Sequence, residues 1–500
     1  MLQEKWSLLK SGTDIRGVAT QGVEGENVNL TDEVCEAITN AFVLWLSKKT
    51  GKECDKLTVS VGRDSRISGP AILKTVTETL SKCGVAVLNC GLASTPSMFM
   101  TTIDLECDGA VQITASHHPF NRNGLKFFTR EGGLESEDIT ELLELAQEGK
   151  KPAETSEGSV RSVDYMTDYA ARLRNAIKNE VKAEDYDHPL KGFKIVVDAG
   201  NGAGGFYAEK VLAPLGADTN GSRYLEPDGM FPNHVPNPEN AEAMKSICEA
   251  VLESGADLGV IFDTDVDRGG AVDSSGNEIN RNRLVAVASA IALEGNEGGT
   301  IVTDSITSDG LKEFIEKTLG GKHHRFKRGY KNVINEAVRL NAQGINCPLA
   351  IETSGHAAMR ENYFLDDGAY LCTKIIIKMA KLKQEGKTLE DYVSQLKEAK
   401  EEKEVRYKIT AHDFRSYGES VIEKLNSYAL TKTGWTLADD SREGVRVSLD
   451  KEHGNGWFLI RLSVHDPIMP LNIESNDDGG AEIILKQVTE FISGCEDLTL

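Results

Sequence analysis

Runs of apolar residues divide most of the chain into similar units, each made of a strand, a polar loop, a helix and a returning strand. The first unit has an apolar strand at 57–61, a helix at about 71–83 and a strand at 85–88. Two more units begin with strands at 193–198 and 300–304. Units of this kind build α/β domains, in which functional loops follow the carboxyl ends of the strands. The pattern predicts three similar mixed-sheet α/β domains.

The C-terminal region has a different pattern. A charged stretch at 388–404 is predicted to be helical and to form a boundary. It is followed by a helix at about 413–427, strands with hairpin turns at 444–474 and a closing helix at 481–492. Hairpin-connected strands flanked by helices predict a separate α+β domain.

A chain of 500 residues is too long for a single hydrophobic core. We therefore predict four domains, with boundaries at 1–158, 159–276, 277–395 and 396–500.

Composition narrows the range of functions. The net charge of -22 argues against a nucleic-acid or anionic-membrane surface, because both select for basic patches. No apolar run approaches the roughly 20 residues needed to span a bilayer, and the first residues lack the layout of a secretory signal. The nine cysteines are scattered and never in CxxC spacing, which is typical of reduced thiols. We expect a cytoplasmic protein.

The stretch from Val111 to Phe128 combines residue types suited to nucleophilic chemistry. Two predicted strands flank a turn that contains Ser116, His117 and His118, and Lys126 lies on the second strand. A hydroxyl at the mouth of a strand, with imidazoles and a lysine nearby, is a candidate nucleophile. The alternative is a serine in an ordinary polar turn.

Three carboxylates follow a fully apolar strand at 258–262. Asp263, Asp265 and Asp267 occupy alternate positions in one loop, so they can converge on one hard divalent cation such as Mg²⁺. An EF-hand is excluded because Arg268 occupies the position that requires glycine. The alternative is a solvated acidic turn.

Three further loops carry candidate binding residues. The loop from Glu352 to His356 combines a carboxylate, a hydroxyl and an imidazole, which suit a polyhydroxy ligand. A basic cluster around Gly329 and the stretch from Arg461 to Pro467 are suited to binding an anion. A fourth loop, from Gly200 to Gly205, matches the G-x-G-x-x-G dinucleotide fingerprint, although a glycine-rich strand-to-helix turn is the commoner structure.

Taken in order, four of these loops resemble those of the α-D-phosphohexomutase family, which includes phosphoglucomutase and phosphomannomutase. The family's T-A-S-H-N-P phosphoserine loop, D-G-D-G-D-R metal loop, G-E-x-S-G-H sugar loop and R-x-S-G-T-E-P phosphate loop correspond to Thr114–Pro119, Asp263–Arg268, Glu352–His356 and Arg461–Pro467. The TDIRG, GRDSRISG and VVDAGNGAG segments also match. The resemblance therefore spans nearly the whole chain.

The resemblance implies a phosphohexomutase, an isomerase that interconverts hexose 1-phosphate and hexose 6-phosphate (glucose and/or mannose) through a phosphoserine and a bound hexose 1,6-bisphosphate. It implies Mg²⁺ as cofactor, a hexose 1,6-bisphosphate as activator and a small-molecule sugar phosphate as the ligand. It also implies four domains around a central cleft, with a mobile fourth domain. We expect a monomer or a weak homodimer, with neither nucleic acid nor membrane as a partner.

The resemblance also implies roles for individual residues. The catalytic residues would be Ser116, Lys126, His356, Arg16 and His117. The substrate-binding residues would be Glu352, Ser354, Gly355, Lys331, Arg461, Ser463, His465 and Arg268. The metal would be bound by the phosphate of Ser116 and by Asp263, Asp265 and Asp267.

Some positions depart from the family's pattern. His118 replaces an asparagine, and Thr264 and Val266 replace the glycines of the metal loop. The phosphate loop has lost Gly-Thr-Glu. Thr353 matches neither the methionine typical of glucose/mannose enzymes nor the glutamine typical of glucosamine enzymes. The choice of hexose therefore stays open, and phosphoglucosamine mutase is an alternative.

Two other classes also fit part of the sequence. The loop that begins at Asp263 fits a haloacid-dehalogenase-type phosphotransferase, with Asp263 as nucleophile and Asp366 and Asp367 as a second acidic pair. However, such a loop normally opens its domain. A sugar-phosphate-binding or scaffold protein without turnover is the non-enzymatic alternative.

Overall fold

Two units make up the fold, and each draws on separate segments of the chain. The computed structural model describes residues 2–153, 156–463 and 466–500. The first unit consists of Met1–Leu284 and Ser354–Tyr392, and the second consists of Val285–Thr353 and Val393–Leu500.

Helices and strands alternate along most of the chain. The helices are α1 (Glu4–Ser7), α2 (Asp32–Thr50), α3 (Gly69–Lys82), α4 (Thr95–Asp104), α5 (Ser136–Gln147), α6 (Tyr165–Val181), α7 (Ala241–Ser254), α8 (Arg281–Leu293), α9 (Asp309–Glu313), α10 (Tyr330–Ala342), α11 (Gly368–Gln384), α12 (Leu389–Tyr392), α13 (Phe414–Ala429) and α14 (Gly480–Ile492).

The strands are β1 (Lys10–Ser11), β2 (Asp14–Val18), β3 (Thr58–Arg63), β4 (Ala86–Leu92), β5 (Gly109–Ile113), β6 (Arg122–Thr129), β7 (Gly132–Gly133), β8 (Val160–Ser162), β9 (Ile195–Asp198), β10 (Leu258–Phe262), β11 (Gly269–Asp273), β12 (Glu278–Ile279), β13 (Thr300–Thr303), β14 (Lys322–Arg325), β15 (Leu349–Ile351), β16 (Ala357–Met359), β17 (Leu365–Asp366), β18 (Glu401–Ile409), β19 (Trp435–Leu437), β20 (Val445–Leu449), β21 (Gly456–Ile460), β22 (Ile468–Ser475) and β23 (Leu498–Thr499).

The first unit contains two mixed sheets. One has the strand order β1-β2-β6-β5-β3-β4-β8 with β7 paired to β6. Its strands β5, β3, β4 and β8 run parallel, while β6 is antiparallel to β5 and to β2. The other sheet has the order β12-β11-β10-β9, in which only β9 and β10 are parallel. Because β5 and β10 are buried along their whole length, their carboxyl ends deliver loops directly from the core.

Local sequence signals account for the ends of several helices. Helix α2 begins after Thr31, whose hydroxyl accepts a hydrogen bond from the backbone N of Val34, and it ends at Gly51 with φ of 71°. A hydroxyl N-cap and a left-handed glycine are the usual boundaries of a helix. The residues at both ends of α2 therefore account for its bounds.

The second unit contains three parallel strands of one sheet and a separate antiparallel sheet. Strand β13 lies between β14 and β15, and all three are parallel. The antiparallel sheet has the order β19-β20-β21-β22-β18-β23. The core formed by this sheet includes Val421 and Leu425 of α13 and Ile484 and Val488 of α14. The mixed-sheet α/β architecture and the C-terminal α+β architecture are both confirmed.

The helix predicted for the charged stretch at 388–404 is largely wrong. Only α12 is helical there, and β18 begins at Glu401. Strand β18 pairs with β22 along its length, but β23 covers only its last two residues, Lys408 and Ile409. Most of β18 is thus a sheet edge, where charged side chains are commonly found.

A cluster of ion pairs joins the α/β part of the second unit to its antiparallel sheet. The buried guanidinium of Arg325 pairs with Asp309 at 2.9 Å and with Asp440 at 2.7 Å. Arg446, also buried, pairs with Asp309 at 3.0 Å, and Lys312 pairs with Asp440 at 2.8 Å. We call these five residues the ion-pair cluster. Arg446 connects the cluster to the core of the antiparallel sheet.

A buried carboxyl beside this cluster makes stability depend on pH. Trp457 Nε1 donates to Glu474 Oε2 at 2.7 Å, and the guanidinium of Arg446 lies 3.6 Å from the Trp457 ring centroid. Burial, followed by the charge of Glu402, raises the pKa of Glu474 to about 8 from 4.5. Between these values the folded protein holds a proton that the unfolded chain releases. The free energy of unfolding therefore falls as pH rises through this window.

We expect Glu474→Gln to raise the melting temperature at pH 8 by roughly 3 °C or more, because the amide keeps an acceptor for Trp457 without a charge to desolvate. Melting curves of both proteins between pH 5 and pH 8.5 measure the effect. The difference should shrink toward pH 5. An equal difference at both ends of the range would contradict the assignment of the pH dependence to Glu474.

The remaining sequence expectations concern thiols and membrane spans. None of the nine cysteines, all of which lie in the described ranges, forms a disulfide, and six of them are buried. Across the described ranges, no helix has the length and apolar character needed to cross a membrane.

Candidate active site

Three aspartates converge at the carboxyl end of β10. Asp263, Asp265 and Asp267 are each at most 2% exposed, and the oxygens that they offer lie within 4.8 Å of one another. Val266, between two of them, has φ of 69°, which is strained for a β-branched residue. The turn that brings the carboxylates together therefore stores backbone strain.

Burial and neighbouring charges shift the pKa values of the three carboxyl groups in different directions. Burial, followed by the charges of Asp265 and Asp267, raises the pKa of Asp263 well above its usual range. Burial and Asp267 also raise the pKa of Asp265. Burial opposes ionisation of Asp267 too, but Lys126 and His356 outweigh it and its pKa is lowered. A bound cation would relieve the repulsion within the group.

The oxygen atoms of this loop fit a hard divalent cation. Asp265 Oδ2 accepts a hydrogen bond from Thr95 Oγ1, and Asp267 Oδ2 pairs with Lys126 Nζ at 3.0 Å. Among the described residues, no donor forms a hydrogen bond with the buried Oδ1 of Asp265 or of Asp267. Leaving such oxygens without a partner is costly, and carboxylate oxygens are the ligands that Mg²⁺ prefers.

The hydroxyl of Ser116 lies beside these carboxylates. Its Oγ is 3.3 Å from Asp263 Oδ2 and 3.2 Å from His117 Nδ1. Ser116 has φ of 52°, and its backbone N donates to Thr114 Oγ1 at 2.9 Å. Burial, followed by the charge of Arg268, lowers the pKa of His117 to about 2, so this imidazole is neutral at pH 7. The predicted nucleophile and the predicted metal ligands therefore form one group.

A buried arginine that the sequence analysis did not single out holds the serine loop. The Arg66 side chain is fully buried, and its Nε lies 3.2 Å from Asp64 Oδ2. Its two terminal nitrogens donate, at 2.5–3.0 Å, to the backbone carbonyl oxygens of Ser116, His118, Pro119 and Arg122. One guanidinium thus fixes the path of the chain on both sides of His117.

Two of the predicted catalytic cations lie on adjacent strands. Lys126 is on β6 and contacts Asp267, as described above. Arg16 is on β2, where it lies opposite Gly124 of β6, and its guanidinium contacts Asp14 at 2.9 Å. A Cβ at Gly124 would lie 2.2 Å from the Ile15 carbonyl oxygen. The close approach of β2 to β6 therefore requires glycine at this position.

Arg268 connects the aspartate loop to His356. Arg268 Nε donates to His356 Nε2 at 2.8 Å, and Arg268 Nη1 lies 3.4 Å from Glu239 Oε2. His356 Nδ1 lies 2.6 Å from Asp366 Oδ2. Burial and the charge of Arg268 both lower the pKa of His356. The negative charges of Asp366 and Asp267 outweigh them, so the pKa is raised overall. Asp366 is therefore a partner of the predicted catalytic histidine.

The two residues before His356 lie in the same turn. Ser354 is buried, and the carbonyl of Gly355 accepts a hydrogen bond from the backbone N of Gly269 at 3.2 Å. Gly355 has φ of 94°, and a Cβ there would lie 2.7 Å from the Gly269 carbonyl oxygen. This turn therefore packs directly against the strand that follows the aspartate loop.

The glycine-rich loop from Gly200 to Gly205 supports the aspartate loop. The backbone N of Ala203 donates to the Thr264 carbonyl at 2.8 Å. A Cβ at Gly202 would lie 2.6 Å from the same oxygen. Close packing of two loops thus explains a glycine of the G-x-G-x-x-G pattern without a dinucleotide.

The acidic pair of the haloacid-dehalogenase alternative has other partners. Asp366 binds His356. Asp367 Oδ1 accepts hydrogen bonds from the hydroxyl of Tyr169 at 2.7 Å and the backbone N of Tyr370 at 2.8 Å. Both carboxyl groups of this pair are therefore bound to other residues of the first unit.

The second unit contains the other predicted binding residues. Glu352 Oε1 accepts a hydrogen bond from the backbone N of Gly329 at 2.5 Å, and Lys331 lies in the first turn of α10. The carboxylate of Glu352 therefore lies at the N-terminus of this helix.

The predicted phosphate loop follows β21. Burial lowers the pKa of Arg461, while the charge of Glu443 opposes this effect. Ser463 Oγ accepts a hydrogen bond from the backbone N of Asp466 at 3.3 Å. His465 lies outside the described residues. Glu443 also accepts hydrogen bonds from Ser305 Oγ and the backbone N of Arg328.

Comparison with known proteins gives matches over most of the chain. Three family models match, described as Phosphoglucomutase/phosphomannomutase, alpha/beta/alpha domains I, II and III, over residues 11–153, 168–276 and 280–399. A phosphomannomutase/phosphoglucomutase of Pseudomonas syringae pv. tomato is 30% identical over 476 residues, which cover 94% of this chain and 92% of the relative.

A relative and a solved structure from other organisms also match nearly the whole chain. A phosphoglucomutase/phosphomannomutase of Thermococcus kodakarensis is 30% identical over 483 residues, covering 95% of this chain and 99% of the relative. A crystal structure of a phosphoglucomutase/phosphomannomutase family protein from Burkholderia thailandensis shares the fold, with a TM-score of 0.79 at 24% identity, and covers 99% of this chain and 98% of the other. The chain therefore belongs to the phosphoglucomutase/phosphomannomutase family of α-D-phosphohexomutases, and it is a phosphoryl-transferring mutase of the isomerase class.

Proposed function

We propose that this enzyme interconverts hexose 1-phosphate and hexose 6-phosphate, with glucose and/or mannose as the hexose, through a phosphoserine at Ser116 and a bound hexose 1,6-bisphosphate. The observation that carries the proposal is the position of Ser116 Oγ, 3.3 Å from Asp263 Oδ2. A nucleophilic hydroxyl beside a cation-binding carboxylate group is what phosphoryl transfer requires.

The proposed reaction has two transfers in opposite directions. In the first, the bond between Ser116 Oγ and phosphorus breaks while a bond forms between phosphorus and the free hydroxyl oxygen of the sugar. The hydroxyl proton passes to a base, and the product is the bisphosphate. After the sugar reorients, its other phosphate returns to Ser116, and the released hydroxyl regains a proton.

We propose His356 as a proton acceptor in these steps. His356 Nε2 accepts a hydrogen bond from Arg268 Nε, so it is the unprotonated ring nitrogen, and it can take a proton from a sugar hydroxyl that replaces Arg268 as its donor. Asp366 at Nδ1 stabilises the imidazolium that would form. Lys126 and Arg16 would stabilise negative charge on the phosphoryl group, and neutral His117 would support the phosphoserine.

The residues that bind the cofactor and the substrate belong to the same proposal. Asp263, Asp265 and Asp267 would hold Mg²⁺ together with the phosphate on Ser116. When bound, the cation would offset the negative charge of the phosphoryl group during its transfer. Residues that would hold the sugar hydroxyls or the phosphate that does not react are Arg268, Lys331, Glu352, Ser354, Gly355, Arg461, Ser463 and His465.

We further propose that the four loops belong to four domains. The phosphoserine loop would lie in 1–158, the metal loop in 159–276, the sugar loop in 277–395 and the phosphate loop in 396–500. A hexose 1,6-bisphosphate would activate the enzyme by phosphorylating Ser116. The free thiols are consistent with a cytoplasmic location, and we propose a monomer or weak homodimer.

A coupled assay tests the proposed reaction. Conversion of glucose 1-phosphate to glucose 6-phosphate is measured with Mg²⁺ and a trace of glucose 1,6-bisphosphate, and mannose 1-phosphate and glucosamine 1-phosphate are tested in parallel. We expect turnover with the glucose or mannose compound. Turnover with the glucosamine compound alone would instead identify a phosphoglucosamine mutase, and no turnover with any of them would refute the proposal.

Removal of the metal should also abolish turnover. We expect dialysis against EDTA to lower activity by at least about 100-fold, and added Mg²⁺ to restore it, because the charge of the phosphoryl group would otherwise remain uncompensated. Asp265→Asn should raise the Mg²⁺ concentration required, whereas the exposed Asp187→Asn should not. Full activity after exhaustive EDTA treatment would contradict a role for the metal.

A further inference from the structure

We infer that Asp304 is a positioning residue for the sugar-binding loop, that it acts through Thr353, and that residue 353 sets the position of this loop without selecting the hexose. The inference rests on the proposed function, because it takes Glu352 as the residue that contacts sugar hydroxyls. Neither Asp304 nor Thr353 was among the residues predicted to bind substrate.

The two residues lie at equivalent ends of neighbouring strands. Asp304 directly follows β13, and Thr353 lies two residues beyond the end of β15. These strands are parallel, with Thr303 opposite Ile351. Because the carboxyl ends of parallel strands meet at one edge of a sheet, Asp304 comes beside the Glu352–Thr353 segment.

Both carboxylate oxygens of Asp304 bind the same residue. Thr353 N donates to Asp304 Oδ1 at 3.3 Å, and Thr353 Oγ1 donates to Asp304 Oδ2 at 2.8 Å. Asp304 is 0% exposed and Thr353 is 3% exposed. The Thr353 hydroxyl therefore donates its hydrogen bond to a buried carboxylate, and the side chain faces the interior of the second unit. Because both hydrogen-bond donors of Thr353 bind Asp304, we infer that this side chain positions the loop and does not contact the hexose.

The neighbouring residue is held independently. Glu352 Oε1 accepts a hydrogen bond from Gly329 N at 2.5 Å. Two consecutive loop residues are thus fixed by two different elements, Thr353 by the end of β13 and Glu352 by the start of α10. The orientation of Glu352 toward a sugar depends on the hydrogen bonds of both residues, because the position of a side chain is only as well defined as the position of its backbone.

Burial and a neighbouring negative charge disfavour the ionised form of Asp304, and the hydrogen bonds from Thr353 offset part of this effect. Burial, followed by the charge of Glu352, raises the pKa of Asp304 to about 7, and Arg328 acts in the opposite direction. Arg461 also faces this group. Two carboxyl groups side by side repel when both are ionised. The donors of Thr353 stabilise the ionised form of Asp304, and removing one of them should loosen the loop.

The test compares Thr353→Val, which keeps the side-chain shape but removes the hydroxyl, with Thr353→Ser, which retains it. Binding of glucose 6-phosphate is titrated calorimetrically in the Ser116→Ala background, where no turnover occurs. We expect Thr353→Val to weaken binding roughly tenfold, as for loss of a hydrogen bond to a charged group. Thr353→Ser should bind within about twofold of the parent.

A second measurement separates positioning from selectivity. In the Ser116 protein, Thr353→Val should lower kcat/KM for glucose 1-phosphate, mannose 1-phosphate and glucosamine 1-phosphate by a common factor, for those that turn over. Asp304→Asn should act in the same direction, and the Asp304→Asn/Thr353→Val protein should lose no more than the more affected single variant, because the two residues act as a pair.

Controls exclude a general effect of a buried threonine. Thr39 of α2 is also buried, and its hydroxyl donates to the Cys35 carbonyl at 2.7 Å. Thr39→Val should leave binding and kcat/KM unchanged. If Thr353→Val does not fold, as judged from its melting curve, Asp304→Asn provides the binding test.

The outcomes distinguish this inference from the proposed function. Binding by Thr353→Val equal to that of the parent would overturn the positioning role. If Thr353→Val changed the ratio of kcat/KM between two hexose phosphates by more than about fivefold, residue 353 would contribute to selection of the hexose. Absence of turnover by the unmodified protein would overturn the proposed function, whereas tenfold weaker binding in Thr353→Val would still support positioning by Asp304.

Discussion

Replacing Ser116 by alanine is expected to lower mutase turnover by on the order of 10⁴-fold or more, because the variant has no oxygen to carry the phosphate between the two transfers. The fold should be retained, since the hydrogen bonds of Ser116 Oγ to described residues are those to His117 and Asp263 of the site, at 3.2 and 3.3 Å. The measurement is the coupled assay with Mg²⁺ and glucose 1,6-bisphosphate, together with a melting curve.

Two variants act as controls for this result. Ser116→Gly removes the same oxygen, and glycine readily adopts the φ of 52° at this position. It should be as inactive as Ser116→Ala, which would show that the loss of activity is not caused by backbone strain. The exposed Ser162→Ala should retain full activity. Mapping the phosphorylated residue completes the test. A hydroxylamine-labile phosphate on Asp263, with Ser116 unmodified, would instead support the haloacid-dehalogenase-type mechanism.

Replacing Arg66 by methionine is expected to destabilise the first unit by about 3–5 kcal/mol, because the carboxylate of Asp64 would remain buried without its partner. Activity should fall by about 100-fold even at a temperature where the variant is folded. The reason is that four backbone carbonyls in and just after the serine loop would each lose a hydrogen bond from Arg66, and small displacements of a reacting group have large effects on rate. Chemical denaturation and the coupled assay measure the two losses.

Arg122→Met is the matched control for this prediction. Arg122 lies in the same region, but its guanidinium is partly exposed and pairs with Glu26 at 2.8 Å. Such a pair contributes about 1 kcal/mol or less, so this variant should keep most of its stability. If Arg66→Met were as stable and as active as Arg122→Met, the serine loop would not depend on the buried guanidinium.

The parts of the site that could be predicted are those delivered by buried strands. The predicted strand at 258–262 has the same bounds as β10, because a fully apolar run between polar loops leaves little choice of ends. The three aspartates follow it immediately. Ser116 was located for a similar reason, since β5 ends at Ile113. Where a core strand fixes the start of a loop, the sequence alone is enough to predict which residues follow the strand.

Arg66 could not be identified in this way. Apart from Asp64, its partners are backbone carbonyls, which every residue possesses, so the residue types of the serine loop gave no sign that Arg66 binds there. Asp366 was noticed, but as half of an acidic pair rather than as the partner of His356. The relevant contact joins residues ten positions apart across a turn. A sequence pattern gives the residue types, whereas their pairing depends on the tertiary fold.

The error at β18 has a different origin. Charged residues at 401–404 were interpreted as part of a solvated helix, although from Val405 onward polar and apolar residues alternate. Charged side chains are exposed to solvent both on the surface of a helix and at the edge of a sheet, so the presence of charge alone does not distinguish the two structures. The pairing with β22, which lies more than 50 residues away in the chain, decided the outcome.

The ion-pair cluster also bears on how this protein can be divided into fragments. A cut at the predicted boundary between 395 and 396 would separate Arg325 and Asp309 from Asp440 and Arg446. The buried guanidinium of Arg446 would then lose Asp309, and that of Arg325 would lose Asp440, although Arg325 would keep Asp309. The C-terminal segment should therefore be a poor candidate for independent expression, and loss of its last hundred residues by premature termination should also impair the parallel sheet of the second unit.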